Sequence, residues 1–167
     1  MKLPADRQLR CALLAIEPSL HGHAYHGAPT HLGLLKGIKS EESLYRPHDK
    51  MNSIREIALH IAYWQNSVAN YLSGETIRPG FKQRKTGFAA AVDSITPEQW
   101  QQEQSFIRDT QQRLVAIVAA YDPKKLNQRS VAKSQMTAVE MIHDNAMHTI
   151  YHTAQLKAAR QMMKLGS

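Results

Sequence analysis

Apolar positions recur at three- and four-residue spacing along most of the chain, and strand-like alternation is nearly absent. From Ser53 to Leu72, the residues Ile54, Ile57, Ile61, Trp64, Val68 and Leu72 form one helical stripe. A second stripe runs from Pro97 to Tyr121 through Trp100, Ile107, Leu114 and Tyr121, with Val118 beside it. The last periodic segment, about residues 137–163, is apolar over more than half of its circumference, which predicts a helix surrounded by others. The N-terminal part is less regular. An amphipathic piece over 4–16 ends at Glu17-Pro18, "HGHAYHGAP" interrupts the chain, and a second helical piece starts at Thr30 and runs to about Gly37. Residues 73–95, with Gly74, Pro79, Gly80 and Gly87, predict the longest loop.

The polar positions mark where the helices begin. "SIRE" places Ser53 and Glu56 at the spacing of a capping box, in which each side chain satisfies a backbone N–H at the helix start. "TPEQ" offers Thr96 as N-cap, Pro97 at the first helical position and Gln99 three residues after the cap. "TAVE" repeats the arrangement with Thr137 and Glu140. Together these features predict an all-α fold: an antiparallel four-helix bundle formed by a single domain over residues 1–167. Its first helix is expected to be broken around residues 18–29, with a longer loop between helices two and three.

Composition narrows the class further. The 167 residues are 43% hydrophobic, enough for one proper core. Cys11 is the only cysteine, so no internal disulfide forms. The first residues are too often charged or polar for a signal peptide, and no apolar run approaches the ~18 residues that cross a bilayer. These features predict a soluble cytoplasmic protein with no membrane partner. The formal charge of +7 favours anionic partners, but the basic residues concentrate only in "RPGFKQRK" and "KKLNQRSVAK". Both lie in expected loops without interleaved aromatic residues, so a solvated surface is the preferred reading and no nucleic acid is expected.

Candidate chemistry rests on histidine. His148 and His152 are four apart in "HTIYHTAQ", about 40° from each other around a helix and one turn along it, so their imidazoles can converge on one ion. They share a side with Met141, Leu156, Ala159 and Met163, where two buried imidazoles are costly without partners. Metal ligands and satisfied core histidines are both consistent with this pair alone. His60 lies roughly 95° from the centre of its helix's apolar stripe, on the flank with Trp64, Ser67 and Tyr71, and can face the pair across a bundle interior. His21, His23, His26 and His31 read as a polar loop, His48 as part of a turn, and His143 sits about 140° around the helix from His148. Asp144, one turn before His148, reads either as a group near the ion or as an exposed acid.

The segments "YHGAPTHLGLL", "YRPHDKMNSIREIALHIAYW" and "HTIYHTAQLKAAR" together resemble the DinB/YfiT-like superfamily of metal-dependent enzymes. The likeness covers residues 23–72 and 137–163. It implies a four-helix bundle holding a divalent ion with three histidines, which fall by motif on His60, His148 and His152. Glu56, Trp64, Tyr151 and Gln155 also match motif positions, with Trp64 and Gln155 as supporting groups. The family's "YHxGQ" is here Tyr151-His152-Thr153-Ala154-Gln155, and its "HGPS" carries an extra residue at Ala28.

Three neutral imidazoles leave the ion charged and open to a further ligand, and they suit zinc, nickel, iron(II) or copper. The resemblance further implies a small-molecule substrate, a low-molecular-weight thiol as second cofactor, S-transferase-type chemistry and a homodimer. An apolar strip on the first or third helix would serve the pairing. Metal-dependent hydrolysis is the alternative, with Glu56, Asp144 or Tyr151 as candidate catalytic groups. A non-enzymatic metal-binding module with a basic surface for an anionic partner is a third reading.

Overall fold

The computed structural model describes residues 4–17, 28–129 and 135–166. It is all-α, with no strand among these residues. The helices are α1 (Ala5–Ile16), α2 (His31–Leu35), α3 (Ser40–Ser43), α4 (Ile54–Ser73), α5 (Pro97–Ala119) and α6 (Ala138–Leu165), with a 3-10 turn at Pro123–Lys125. The long helices pair as α4 with α5, α4 with α6, α1 with α5 and α1 with α6, a closed ring consistent with the expected four-helix bundle. The break after α1 spans residues 18–27, outside the described residues, and includes His21, His23 and His26.

All three capping boxes form. Ser53 Oγ accepts from Glu56 N–H, and Glu56 Oε2 accepts from Ser53 N–H at 2.8 Å. Thr96 with Gln99, and Thr137 with Glu140, do the same for α5 and α6. α4 stops at Gly74, whose φ of 76° is a left-handed conformation that a side chain resists. The long loop then runs to Thr96 without a helix, steadied by an isolated bridge between Gln83 and Ala89.

Two apolar clusters fill the interior. One joins α2, the loop and the early turns of α4 and α5 through Leu35, Ile57, Leu59, Trp100 and Ile107. The other joins α1 to the later turns of α4 and α5 and the start of α6 through Ile16, Val68, Leu114, Val118 and Ile142. Between them along the helices lies a belt of buried polar side chains that includes His60, Gln65, Gln111, Asn145, Thr149 and His152.

Four features depart from the sequence expectation. α4 is buried all round from Ile54 to Ala62, so Arg55 and Glu56 go inside with the stripe. Arg55 is satisfied there by a two-pronged ion pair with Glu103 and a bond to the Ala90 carbonyl. Trp64, a member of the expected stripe, is 41% exposed instead. α6 is not enclosed either, because Met147 and Ile150 stand 64% and 65% exposed. Finally, His31 belongs to a short buried helix, not a polar loop. Thr30 caps that helix by accepting from Gly33 N–H, and His31 is sealed inside it.

Candidate metal centre

α4 and α6 pack side by side, and this contact brings His60 toward the pair that α6 presents one turn apart. The ligand atoms of His60, His148 and His152 all lie within 4.8 Å of one another. His60 Nε2 is 3.2 Å from His148 Nε2. Two nitrogens sharing one tetrahedral ion at ~2.0–2.1 Å stand roughly 3.3–3.4 Å apart, so the spacing fits a common ion. His152 Nδ1 is 2.8 Å from Gln155 Oε1. An amide oxygen only accepts, so Nδ1 carries the proton and Nε2 keeps its lone pair. Gln155 therefore fixes His152 in the tautomer a ligand needs.

The loop completes the site. Phe88 stacks flat on His60, with ring centroids 3.7 Å apart and planes 1° from parallel. Arg84 covers the ring of Phe88 at 5.2 Å. Gly87 permits this close approach: its φ is +79°, and a Cβ there would stand 2.7 Å from the Tyr63 ring. We expect Gly87→Ala to lower stability by about 2–3 kcal/mol, combining left-handed strain with overpacking. Urea unfolding read against the wild type checks it, and an unchanged midpoint would refute this account of the loop.

A chamber of about 380 Å³ opens beside the triad, lined by Trp64, Val68, Thr86, Phe88, Asp144 and Asn145 as well as the three histidines. Trp64 meets His60 and His148 edge-on, at 6.3 and 6.0 Å between centroids. Burial lowers the pKa of all three histidines. For His60, the charges of His152, His148 and Arg84 add to burial, and the Gly87 carbonyl opposes them without completing a hydrogen bond to Nδ1; the result is about 4. Burial and His152 lower His148 while Asp144 opposes them; burial lowers His152 while Gln155 opposes it. The triad is thus neutral, as ligation requires.

The other candidates fall differently. Asp144 reaches the chamber wall. Glu56 is a helix cap: Arg46 Nη1 pairs with its Oε2 at 2.7 Å, and Arg84 lies 3.6 Å from Oε1. Burial raises its pKa, but the bonds from Arg46 and Ser53 and the charges of Arg46 and Arg84 outweigh that and hold it below the ordinary value. A carboxylate so engaged is a poor base. Tyr151 is 61% exposed and meets only the edge of His152, at 4.9 Å between centroids, outside the chamber. Phe88 and Asn145 were not anticipated. Phe88 is on a loop with no periodicity, and Asn145 is one polar residue among many on α6.

His31 is not part of this centre. Burial alone lowers its pKa to about 4, and neither ring nitrogen has a partner. The folded protein therefore binds fewer protons than the unfolded chain between that value and the ordinary 6.5. Stability should be full above pH 6.5 and fall as pH drops through about 4, by up to about 3 kcal/mol from His31. The lowered triad histidines act in the same direction in metal-free protein. Urea midpoints at several pH values check the sign, and a His31→Gln protein should lose part of the slope.

Fold and site together define a helical protein with a candidate three-histidine metal centre. A sequence model of the DinB superfamily matches residues 30–156, and the chain belongs to that superfamily, whose members are metal-binding helical proteins. No curated protein and no solved structure gives a match. No helix among the described residues is long and apolar enough to cross a membrane.

Proposed function

We propose that the chain is a metal-dependent enzyme whose ion is held by His60, His148 and His152, with its four long helices running antiparallel. The observation that carries this is the convergence of three neutral ligand atoms within 4.8 Å beside an accessible chamber. The preferred chemistry is transfer to the sulfur of a low-molecular-weight thiol, following the family resemblance. When bound, a zinc, nickel or iron(II) ion would supply the positive charge that favours a thiolate over a thiol. Gln155 holds His152 in its ligating tautomer, and Phe88 keeps the His60 ring in place. Asp144, the one charged residue on the chamber wall, is the group available to take the thiol proton. Trp64 and Phe88 form apolar walls for the electrophile. The transfer forms one C–S bond as the leaving group departs with its bonding pair.

Metal-assisted hydrolysis is the second reading, favoured by the same position of Asp144, which could serve as base. Elemental analysis of tag-free protein, then a screen of the loaded protein with several thiols and an electrophile, separates the readings. Stoichiometric metal and thiol-dependent turnover support S-transfer. Turnover independent of thiol supports hydrolysis, and protein without affinity for a divalent ion contradicts both.

The homodimer is also a proposal, and an exposed apolar strip on α6 supports it, beside the first- or third-helix strip the sequence suggests. Met147, Ile150 and Tyr151 stand out from its first half, and the small, exposed Ala154 and Ala158 follow. In an antiparallel pair, the large residues of one copy meet the small ones of the other. Light scattering should show a dimer that Tyr151→Glu weakens.

A further inference from the structure

The chamber wall carries a polar group that the protein leaves unsatisfied, and that group speaks to substrate class. Four side-chain carboxamides are buried among the described residues: Gln65, Asn66, Gln111 and Asn145. Gln65 Nε2 donates to Gln111 Oε1 and Gln111 donates to the Ile16 carbonyl; the Gln65 oxygen is also without a partner, but Gln65 does not line the chamber. Asn66 donates to the Ile77 carbonyl and accepts from Arg113. Asn145 is only 3% exposed, and its Oδ1 has no partner. It lies one turn before His148 on α6 and lines the chamber with the triad. An unpaired buried amide oxygen is unfavourable where a leucine would pack without loss, so a ligand is the natural source of its missing bond.

We infer that Asn145 seats the substrate, and that the group it seats is a carboxamide, with an N–H and a C=O side by side. This rests on the reading of the chamber as the substrate site. A carboxamide satisfies the oxygen and the NH₂ of Asn145 at once, in two parallel bonds. The neighbouring chemistry disfavours the other common groups. A carboxylate only accepts, so it would leave the Asn145 oxygen without a donor, and Asp144 beside it would repel it. An ammonium donates to the oxygen but offers the NH₂ no acceptor. The rest of the ligand lies against Trp64, Val68 and Phe88, so the substrate is a small neutral amide with an apolar body. At about 380 Å³ the chamber is near the small end for ligand sites.

Isothermal titration of the full chain, with and without zinc, tests this with benzamide, methyl benzoate and benzoate as probes. Benzamide is expected to bind about tenfold or more tightly than methyl benzoate, which keeps the ring and the carbonyl but has no N–H donor. Asn145→Leu should remove that difference and leave zinc content unchanged. Asn145→Ala, checked for helix content by circular dichroism, guards against a fold defect in the leucine protein. Equal binding of amide and ester, preference for benzoate in the zinc-free protein, no benzamide binding at all, or a preference that survives both substitutions would each overturn the inference. Zinc content is measured separately, so loss of the metal reading is distinguishable from loss of the role of Asn145.

Discussion

His60→Ala protein is expected to lose roughly a hundred- to a thousandfold in affinity for a divalent ion while keeping its helix content. The magnitude follows from sharing the ~10–16 kcal/mol of a closed four-ligand zinc site among its ligands. His60 is the sole ligand from α4, so its removal leaves only the adjacent pair on α6. The consequence extends to stability. A ligand that binds only the folded state stabilises it by about 4 kcal/mol at a thousandfold excess over Kd. Wild-type protein should therefore melt at a higher temperature with zinc or nickel, and the His60→Ala protein should show little shift. The variant also leaves Phe88 without the ring it stacks on, so its metal-free stability should fall modestly through lost packing. Calorimetric titration and thermal melts with and without metal decide it. A wild-type melt that does not respond to any divalent ion, or a His60→Ala melt that responds equally, would remove the basis for the metal centre.

Gln111→Ala is expected to produce the largest loss of stability, about 3–5 kcal/mol. Gln111 lies in the polar belt, accepts from Gln65 Nε2 and donates to the Ile16 carbonyl at 2.9 Å. Gln65 Nε2 also lies 3.5 Å from Thr149 Oγ1, so one pair of amides connects α1, α4, α5 and α6. Truncation leaves a buried donor on Gln65 and a buried acceptor on Ile16 without Gln111. Each such loss costs about 1–3 kcal/mol, and a cavity adds to it. Against a total of ~5–15 kcal/mol for a typical domain, that is a severe change. The double replacement Gln65→Leu with Gln111→Leu should be milder, because both partners become apolar together. Urea unfolding of the three proteins reads the difference. A Gln111→Ala protein as stable as wild type would show that the belt contributes nothing.

The helix starts were legible because a capping box is local. Ser53 with Glu56, Thr96 with Gln99 and Thr137 with Glu140 meet their partners within four residues, whatever packs around them. The His148/His152 pair was legible for the same reason, since helical geometry alone brings the two rings to a centroid separation of 4.4 Å. His60 needed more: its helical phase left it on a flank, and the family motif singled it out. Periodicity failed for Trp64 and for the outer face of α6. Apolar spacing records which residues would favour burial, and the packing of neighbouring helices determines which of them are covered. Glu56 shows a related limit. Its capping role was plain, but its burial between Arg46 and Arg84 depends on a loop and a turn that no periodicity describes.

By itself, then, the sequence determined the helical class, the main helix boundaries and the turn-spaced pair of imidazoles, all consequences of interactions between residues near each other in the chain. The family motif pointed to His60 and the packing of α4 on α6 brought it to the pair; tertiary structure alone decided that Phe88 covers it, that Gln65 and Gln111 bridge the helices, and that the Asn145 oxygen is left without a partner beside the chamber. Those outcomes depend on how helices pack and how a loop returns across them. Such contacts join residues tens of positions apart, and local spacing carries no record of them.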